Sequence, residues 1–138
     1  MAETDPTRRS TCPVNAALEV LGDRWSLLIV RDLMFGGART YSDFRAAPEA
    51  IATNILASRL ASLQAGGILT SAPDPEDGRR HLYRLTEKGI ALAPALLELG
   101  RWGIAHEGAE PPPGLHAAYD ADREGFMAAL RARLLDAP

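Results

Sequence analysis

Apolar residues recur every three or four positions along the first half of the chain, a pattern typical of amphipathic helices. The first predicted helix begins at Pro13 and ends at Gly22, which places Cys12 at its N-cap. The second covers residues 24–35, and Asp23 can cap it. Because apolar residues are densest in this second helix, we predict that it lies at the centre of the core.

A tight turn separates two further predicted helices. Thr40 and Asp43 fit a capping box at the start of the third helix, and Pro48 prevents that helix from continuing. The fourth helix covers residues 52–65. Its apolar stripe consists of Ile55, Leu56, Leu60 and Leu63. This arrangement predicts a helix-turn-helix.

The opposite face of the fourth helix is polar but carries neither Glu nor Lys. It presents Thr53, Asn54, Ser58, Arg59, Ser62 and Gln64. Short side chains that donate and accept hydrogen bonds suit the edges of base pairs in the major groove of double-stranded DNA. We therefore predict DNA contacts by Thr53, Asn54, Ser58 and Arg59. A merely solvated face is the alternative, and for Arg59 a salt bridge that holds the turn.

The segment after Gly66 and Gly67 predicts a β-hairpin. Residues 68–71 and 81–85 are the two predicted strands, and residues 74–78 are rich in turn formers. The predicted class is therefore mainly α with a small β-hairpin, a winged helix-turn-helix with added N- and C-terminal dimerisation helices.

The hairpin tip and its second strand are basic. They carry Arg79, Arg80, His81 and Arg84. Cations at a wing tip contact phosphate or enter the minor groove, so Arg79, Arg80 and His81 join Arg39 among the predicted DNA-binding residues. Asp77 can fix Arg79, and Arg84 can face the body of the protein. An ordinary charged hairpin is the alternative.

The second half of the chain predicts further helices. A fifth helix covers residues 86–102, with Pro94 kinking or restarting it, and a proline-rich linker follows over residues 106–115. Residues 117–135 return to helix. These segments and the first helix hold more apolar residues than a small helix-turn-helix domain can bury. The surplus predicts a homodimer.

Three segments make up the predicted domain organisation. Residues 1–11 form a flexible N-terminus, residues 12–103 a DNA-binding domain, and residues 104–138 a linker with a C-terminal helix. At 138 residues the chain is long enough to bury one core.

Composition changes this picture little. The formal charge is −3, but residues 39–66 carry three basic and two acidic residues, so the predicted helix-turn-helix is slightly positive. No stretch resembles a signal peptide or spans a membrane, which predicts a cytoplasmic protein. Neither a phosphate loop nor a nucleophile motif is present, and the three histidines are too scattered for a metal site. We expect no enzyme, no cofactor and no metal.

The single cysteine, Cys12, excludes an internal disulfide. A cysteine in such a setting is most often a small buried apolar residue. At a helix N-terminus, however, the helix dipole favours the reactive thiolate. Cys12 is therefore a candidate redox sensor.

Three segments resemble HxlR-type bacterial regulators, a branch of the MarR-like winged-helix proteins. They are CPVNAALEVLGDRWSLLIVRDLMFG, IATNILASRLASLQAGGIL and RRHLYRLTEKG, which together span about residues 12–103. The resemblance implies a homodimer that binds a pseudo-palindromic operator, usually as a repressor, and is released by a small molecule or a redox signal. Ala52 departs from the resemblance, since the family often has a Ser or Thr cap there; Thr53 can take over that role. A winged helix used only for protein–protein assembly is the alternative.

Overall fold

The computed structural model describes residues 7–136 and contains, within them, eight helices and two strands. The helices are α1 (Pro13–Leu21), α2 (Ser26–Met34), α3 (Tyr41–Arg45), α4 (Thr53–Ala65), α5 (Glu87–Ile90), α6 (Ala93–Glu107), α7 (Leu115–Ala121) and α8 (Arg123–Leu135). The strands are β1 (Leu69–Pro73) and β2 (His81–Leu85). The predicted class, mainly helical with one hairpin, is confirmed. None of the helices in residues 7–136 is both long and apolar enough to cross a membrane.

The centre of the core comes from α2 and α4, as their apolar stripes predict. The helix α2 buries Ile29, Val30, Leu33 and Met34, and α4 buries Leu56, Leu60 and Leu63. Fully burying one such side chain contributes about 1.5–3 kcal/mol, so these two helices set the position of everything packed on them.

The start of α2 differs from the prediction by two residues. The Asp23 carboxylate accepts hydrogen bonds from the backbone N–H groups of Trp25 (2.8 Å) and Ser26 (2.9 Å). These bonds close a turn first, and the helix begins at Ser26 rather than at residue 24. Asp23 therefore does satisfy the donors at the start of α2, through a preceding turn.

The predicted capping box and turn are both present between α2 and α4. Thr40 Oγ1 accepts from the Asp43 N–H (3.2 Å), while Asp43 Oδ2 accepts from the Thr40 N–H (2.9 Å). In the turn Ala50 has a φ of 58°, a left-handed conformation that is uncommon for a residue with a Cβ. Ala52 is the N-cap of α4 and makes no side-chain cap bond. The expectation that Thr53 takes over as cap is wrong, because Thr53 is the first helical residue.

The hairpin β1–β2 is antiparallel, with Leu69 opposite Leu85 and Pro73 opposite His81. The strand β2 has the predicted bounds, whereas β1 lies one to two residues further along than predicted. At the base of the hairpin Gly89 comes so close to β1 that a Cβ there would lie 2.3 Å from the Ile68 carbonyl oxygen. A glycine is therefore needed where α5 packs against the wing.

Pro94 restarts the helix instead of kinking it. α5 ends at Ile90 and α6 begins at Ala93, so the proline lies in the first turn of α6, where its missing N–H costs little. α6 continues to Glu107, past the predicted end at residue 102. The proline-rich connection is correspondingly shorter than predicted.

The prediction of one helix over residues 117–135 is wrong. The chain breaks at Asp122 (φ −157°, ψ 89°), whose side chain accepts a hydrogen bond from the Gly125 N–H (3.0 Å) and so caps α8. Asp competes with the helix for backbone donors, and here it ends α7 and starts α8. Leu130 of α8 joins the main core. The predicted domain division at residue 103 falls inside α6 and stays a prediction.

The helix α1 buries none of its residues, although its predicted bounds and its Gly22 end are confirmed. Val14 is 65% exposed and Leu18 is 58% exposed, and only Leu21 packs against the core. Of the predicted flexible segment 1–11, residues 1–6 lie outside the described residues. The single chain thus leaves an apolar helix face without a partner in residues 7–136.

Candidate nucleic-acid interface

The outer face of α4 is open to solvent where the sequence predicts base contacts. Thr53, Asn54 and Ser58 are all exposed. The Thr53 carbonyl oxygen accepts a hydrogen bond from the Tyr41 hydroxyl (2.8 Å), which ties the first turn of α4 to α3. The polar side chains are therefore presented from a helix whose start is fixed.

Arg59 lies on the same helix but is partly committed to the protein. Its Nη1 lies 3.6 Å from Asp23 Oδ2, and its side chain is about one third exposed. Burial acts to raise the pKa of Asp23, but hydrogen bonds from Ser26 and Trp25 and the charge of Arg59 hold that pKa below its usual value. The ion pair agrees with the predicted alternative in which Arg59 holds a turn. At 3.6 Å the pair is loose enough for the guanidinium to contact solvent as well.

A second ion pair fixes the turn that precedes α4. Arg31 of α2 binds Glu49 with two hydrogen bonds, Nη1 to Oε2 (2.9 Å) and Nη2 to Oε1 (2.7 Å). Its Nε also donates to Asp32 Oδ1 (3.0 Å). The hydrogen bond to Glu49 raises the pKa of Arg31. Because Glu49 adjoins the left-handed Ala50, the Arg31–Glu49 pair stabilises the turn conformation that orients α4. The two residues are eighteen positions apart, so no local sequence pattern predicts this pair.

Arg79 extends from the hairpin tip as predicted. Its side chain is 94% exposed, and Asp77 Oδ1 accepts from its backbone N–H (3.2 Å) and more weakly from its Nε (3.4 Å). Asp77 therefore orients the backbone at the tip while most of the guanidinium donors remain available.

Arg80, predicted beside Arg79 as a DNA contact, stabilises the turn of the hairpin. It donates from Nε (2.9 Å) and Nη2 (2.6 Å) to Oδ2 of Asp74, a buried carboxylate. Asp74 also accepts from the Glu76 N–H (2.9 Å). Asp74 was not among the predicted site residues, although an Asp at the head of a turn-forming segment is the signal that indicates it.

Arg39 lies beside the wing, whereas His81 lies in the wing next to its turn. The backbone of Arg39 joins two elements, because its N–H donates to Asp43 Oδ2 (2.8 Å) and its carbonyl accepts from the Tyr83 N–H (2.8 Å). Arg39 and Arg80 both line a cleft between the start of α3 and the wing. His81, the first residue of β2, is exposed. A backbone hydrogen bond from Tyr83 to Arg39 thus attaches the wing to the segment that leads into α3.

Cys12 is exposed, so the alternative that it is a small buried apolar residue is wrong for the single chain. It caps α1 by position without a side-chain cap bond, and its own N–H donates to Ser10 Oγ (3.3 Å). Within residues 7–136 no group of three or more His, Cys, Asp or Glu side chains could hold a metal ion. His116 lies against the Leu97 carbonyl oxygen (2.9 Å).

A helix presented behind a tight turn and a wing bonded beside it define a winged helix-turn-helix. The chain belongs to the HxlR-like helix-turn-helix family, whose model matches residues 20–110. It is 41% identical over 90 residues to the uncharacterised HTH-type transcriptional regulator Rv3095 of Mycobacterium tuberculosis (strain ATCC 25618 / H37Rv). That match covers 65% of this chain and 56% of the relative, so the chain spans just over half of the relative's length.

Solved structures support the same fold. The crystal structure of PA1607, a candidate transcription factor, is 40% identical with a TM-score of 0.65, and the match covers 76% of this chain and 70% of PA1607. The redox regulator HypR in its reduced form is 28% identical with a TM-score of 0.62, and the match covers 70% of this chain and 94% of HypR.

Proposed function

We propose that this protein is a transcriptional regulator that binds a pseudo-palindromic operator in double-stranded DNA as a homodimer and acts as a repressor. The observation that carries the proposal is the solvent-facing polar surface of α4 beside a wing whose Arg79 is 94% exposed. The exposed amide of Asn54 suits base edges, while Thr53 and Ser58 suit contacts that position the DNA backbone. Family membership supports this assignment.

The homodimer is supported by apolar residues that the single chain leaves in water. On α1, Val14 and Leu18 are more than half exposed, and on α6 the same is true of Leu99 (55%) and Trp102 (56%). Large exposed apolar patches mark interfaces. A two-fold dimer with its α4 helices about 34 Å apart would read two half-sites one DNA turn apart on the same face of the duplex.

Release from DNA would follow a shift between two dimer geometries. A small-molecule effector or a modified Cys12 would favour the geometry with the wrong helix spacing, and weaken binding by its differential affinity for the two states. The exposure of Cys12 and the likeness to a protein named as a redox regulator support the redox route.

A gel-shift assay tests the proposal with DNA from upstream of the protein's own and adjacent genes, at two salt concentrations. We expect a shifted band that weakens as salt rises, since phosphate contacts release counterions. Asn54→Ala should weaken the specific complex, and Glu124→Ala, at an exposed position of α8 away from the polar face of α4, serves as the control. A protein that binds no duplex even at low salt would instead be a winged-helix module for protein–protein assembly.

The redox route is tested by adding an oxidant to the same complex. We expect oxidant to release the DNA from the wild type but not from Cys12→Ser. Release of the DNA by oxidant from Cys12→Ser as readily as from the wild type would remove Cys12 from the mechanism and leave the small-molecule route.

A further inference from the structure

An apolar cavity of about 290 Å³ lies between α2, α6 and the segment that joins α6 to α7. Aliphatic and aromatic side chains make up most of its lining: Leu27, Leu28, Phe35, Leu96, Ile104 and Leu115. Leu99, Glu110 and Pro112 also line it and are exposed, so the cavity opens to solvent on that side. Because an apolar cavity of about 150 Å³ accommodates benzene, this cavity has room for a molecule of two fused rings.

The polar side chains around this cavity either have partners within the chain or lie at its mouth. Arg31 binds the Glu49 carboxylate with two hydrogen bonds. His116 Nε2 lies 2.9 Å from the Leu97 carbonyl oxygen, which is an acceptor, so this contact uses the N–H of the imidazole ring. Glu110 at the mouth would repel an anion. The lining therefore requires no counter-charge from a ligand and favours a neutral, apolar molecule.

Gly100 of α6 leaves room in the wall of the cavity. A Cβ at this position would lie 3.8 Å from the His116 ring, which is ordinary van der Waals contact. Close packing therefore does not require a glycine here, although glycine inside a helix is less favourable than alanine. A larger side chain at residue 100 would occupy part of the cavity.

The walls of the cavity come from three parts of the chain. The helix α2, which supplies Leu27 and Leu28, is at the centre of the core, whereas α6 carries exposed apolar residues of the proposed dimer interface. The third wall includes Pro112 and Leu115, which lie beyond the residues 20–110 that match the family model. The family model therefore does not cover the whole of this cavity.

A second copy of the chain is the alternative occupant. Leu99 lies both at the mouth of the cavity and among the exposed apolar residues of α6. A helix with its side chains is about 10 Å across, which is too wide to enter a cavity of about 290 Å³. A partner helix would therefore cover the mouth and leave the interior empty, so a small molecule is the better fit.

We propose that this cavity binds a neutral, largely apolar small molecule with two fused rings, and that it is the effector site of the regulator. A ligand between α2 and α6 changes how the proposed dimer helix packs against the helix-turn-helix, and so changes the spacing of the two α4 helices. Ligand and operator then alter each other's affinity by the same factor. The ligand site stands apart from DNA binding, whereas its role as the effector site rests on the proposed function.

The probe is indole, a neutral molecule of two fused rings, and indole-3-carboxylate is its charged counterpart. Gly100→Leu fills the cavity in the full-length protein. Gly103→Leu is the matched control, because it makes the same change in the same helix at a glycine that does not line the cavity. Both variants gain helix propensity alike, so a difference between them reports on the cavity.

The first measurement is the thermal midpoint by calorimetry with and without indole. A ligand that binds only the folded state raises that midpoint. We expect indole to raise it for the wild type and Gly103→Leu, and to raise it less than half as far for Gly100→Leu. Indole-3-carboxylate should raise the wild-type midpoint less than indole does. Equal rises in the two glycine variants, or no rise in the wild type, would overturn the ligand site.

The second measurement is the oligomeric state of the variants in sedimentation velocity. We expect Gly100→Leu to have the same oligomeric state as the wild type, since a small molecule and not a partner side chain fills the cavity. A Gly100→Leu monomer beside a Gly103→Leu dimer would overturn the proposal and assign the cavity to the second copy.

The third measurement is the affinity for duplex DNA with and without indole. We expect indole to weaken binding by about fivefold or more for the wild type and Gly103→Leu, and to have no effect on Gly100→Leu. Duplex affinity that indole leaves unchanged would overturn the effector role. A wild type that binds indole in the cavity but binds no duplex would refute the proposed DNA-binding function and leave the ligand site intact, so the two failures are distinguishable.

Discussion

Arg79 and Arg80 are adjacent on the hairpin and yet have different surroundings. Arg79 is almost fully exposed, whereas Arg80 donates two hydrogen bonds to the buried Asp74. Two adjacent arginines that follow a turn-forming segment predict a basic tip. They do not tell which arginine folds back onto the turn, because that depends on how the turn closes.

Replacing Arg79 should therefore affect DNA binding without affecting folding. We expect Arg79→Gln to lower the salt slope of operator binding by about 1 and to leave the thermal midpoint close to that of the wild type. Arg80→Gln is the matched contrast and should lower the midpoint, since Asp74 loses its partner. An unchanged slope in Arg79→Gln would mean that the wing tip does not touch phosphate.

Asp74 gives the wing a pH-dependent contribution to stability. A backbone hydrogen bond from Glu76 and the side-chain bonds from Arg80 lower the pKa of Asp74. Because the folded-state pKa lies below the unfolded value of about 4, the stabilisation is complete above that value and is lost as pH falls through the folded-state pKa.

We therefore expect Asp74→Asn to lower the thermal midpoint at neutral pH. The difference from the wild type should shrink as pH is lowered below about 4, and melting curves followed by circular dichroism measure it. Glu124→Gln, at an exposed position on α8, serves as the control. A difference that is constant with pH would contradict the role given to the carboxylate.

At the scale of elements, α4 begins without a side-chain cap. Ala52 has the extended conformation of an N-cap, but its methyl group cannot accept a hydrogen bond from the first turn. We expect Ala52→Ser to stabilise the protein by about 0.5–1 kcal/mol in urea unfolding, because the hydroxyl satisfies one free N–H.

Ala57→Ser is the control for that substitution, since it makes the same chemical change at an exposed position inside α4. Serine is a weaker helix former than alanine, so this variant should be destabilised by up to about 0.5 kcal/mol. If both variants shift stability in the same direction, capping is not the cause.

Elements with a local signal could be predicted from the sequence, and elements fixed by distant contacts could not. Thr40 and Asp43 are three residues apart and specify their capping box by themselves. The break at Asp122 has only a weak local signal within an alanine-rich helical pattern, and the predicted helix runs through it. The pairs Arg31–Glu49 and Arg80–Asp74 depend on the folded positions of their elements. The exposure of the polar face of α4 was therefore predictable, whereas the ion pairs near it were not.

At the scale of the whole molecule, α1 and α6 carry the exposed apolar residues that we propose form the homodimer interface. We expect Leu18→Glu to convert the dimer to monomer in sedimentation velocity and to weaken operator binding by at least about tenfold, or 1.4 kcal/mol. Ala72→Glu, at an exposed position of β1 outside the predicted dimerisation segments, is the control for the added charge and should remain dimeric. A Leu18→Glu dimer of wild-type affinity would place the interface elsewhere.

The exposure of α1 also affects how much functional dimer a cell would contain. In the proposed dimer α1, which has no fully buried residue in the single chain, gains most of its packing from the second chain. At low expression, pairing follows mass action, so the amount of complete dimer rises with the square of the number of chains made. A modest increase in synthesis would then produce a disproportionate increase in occupied operators. Gene dosage would in this way regulate operator occupancy.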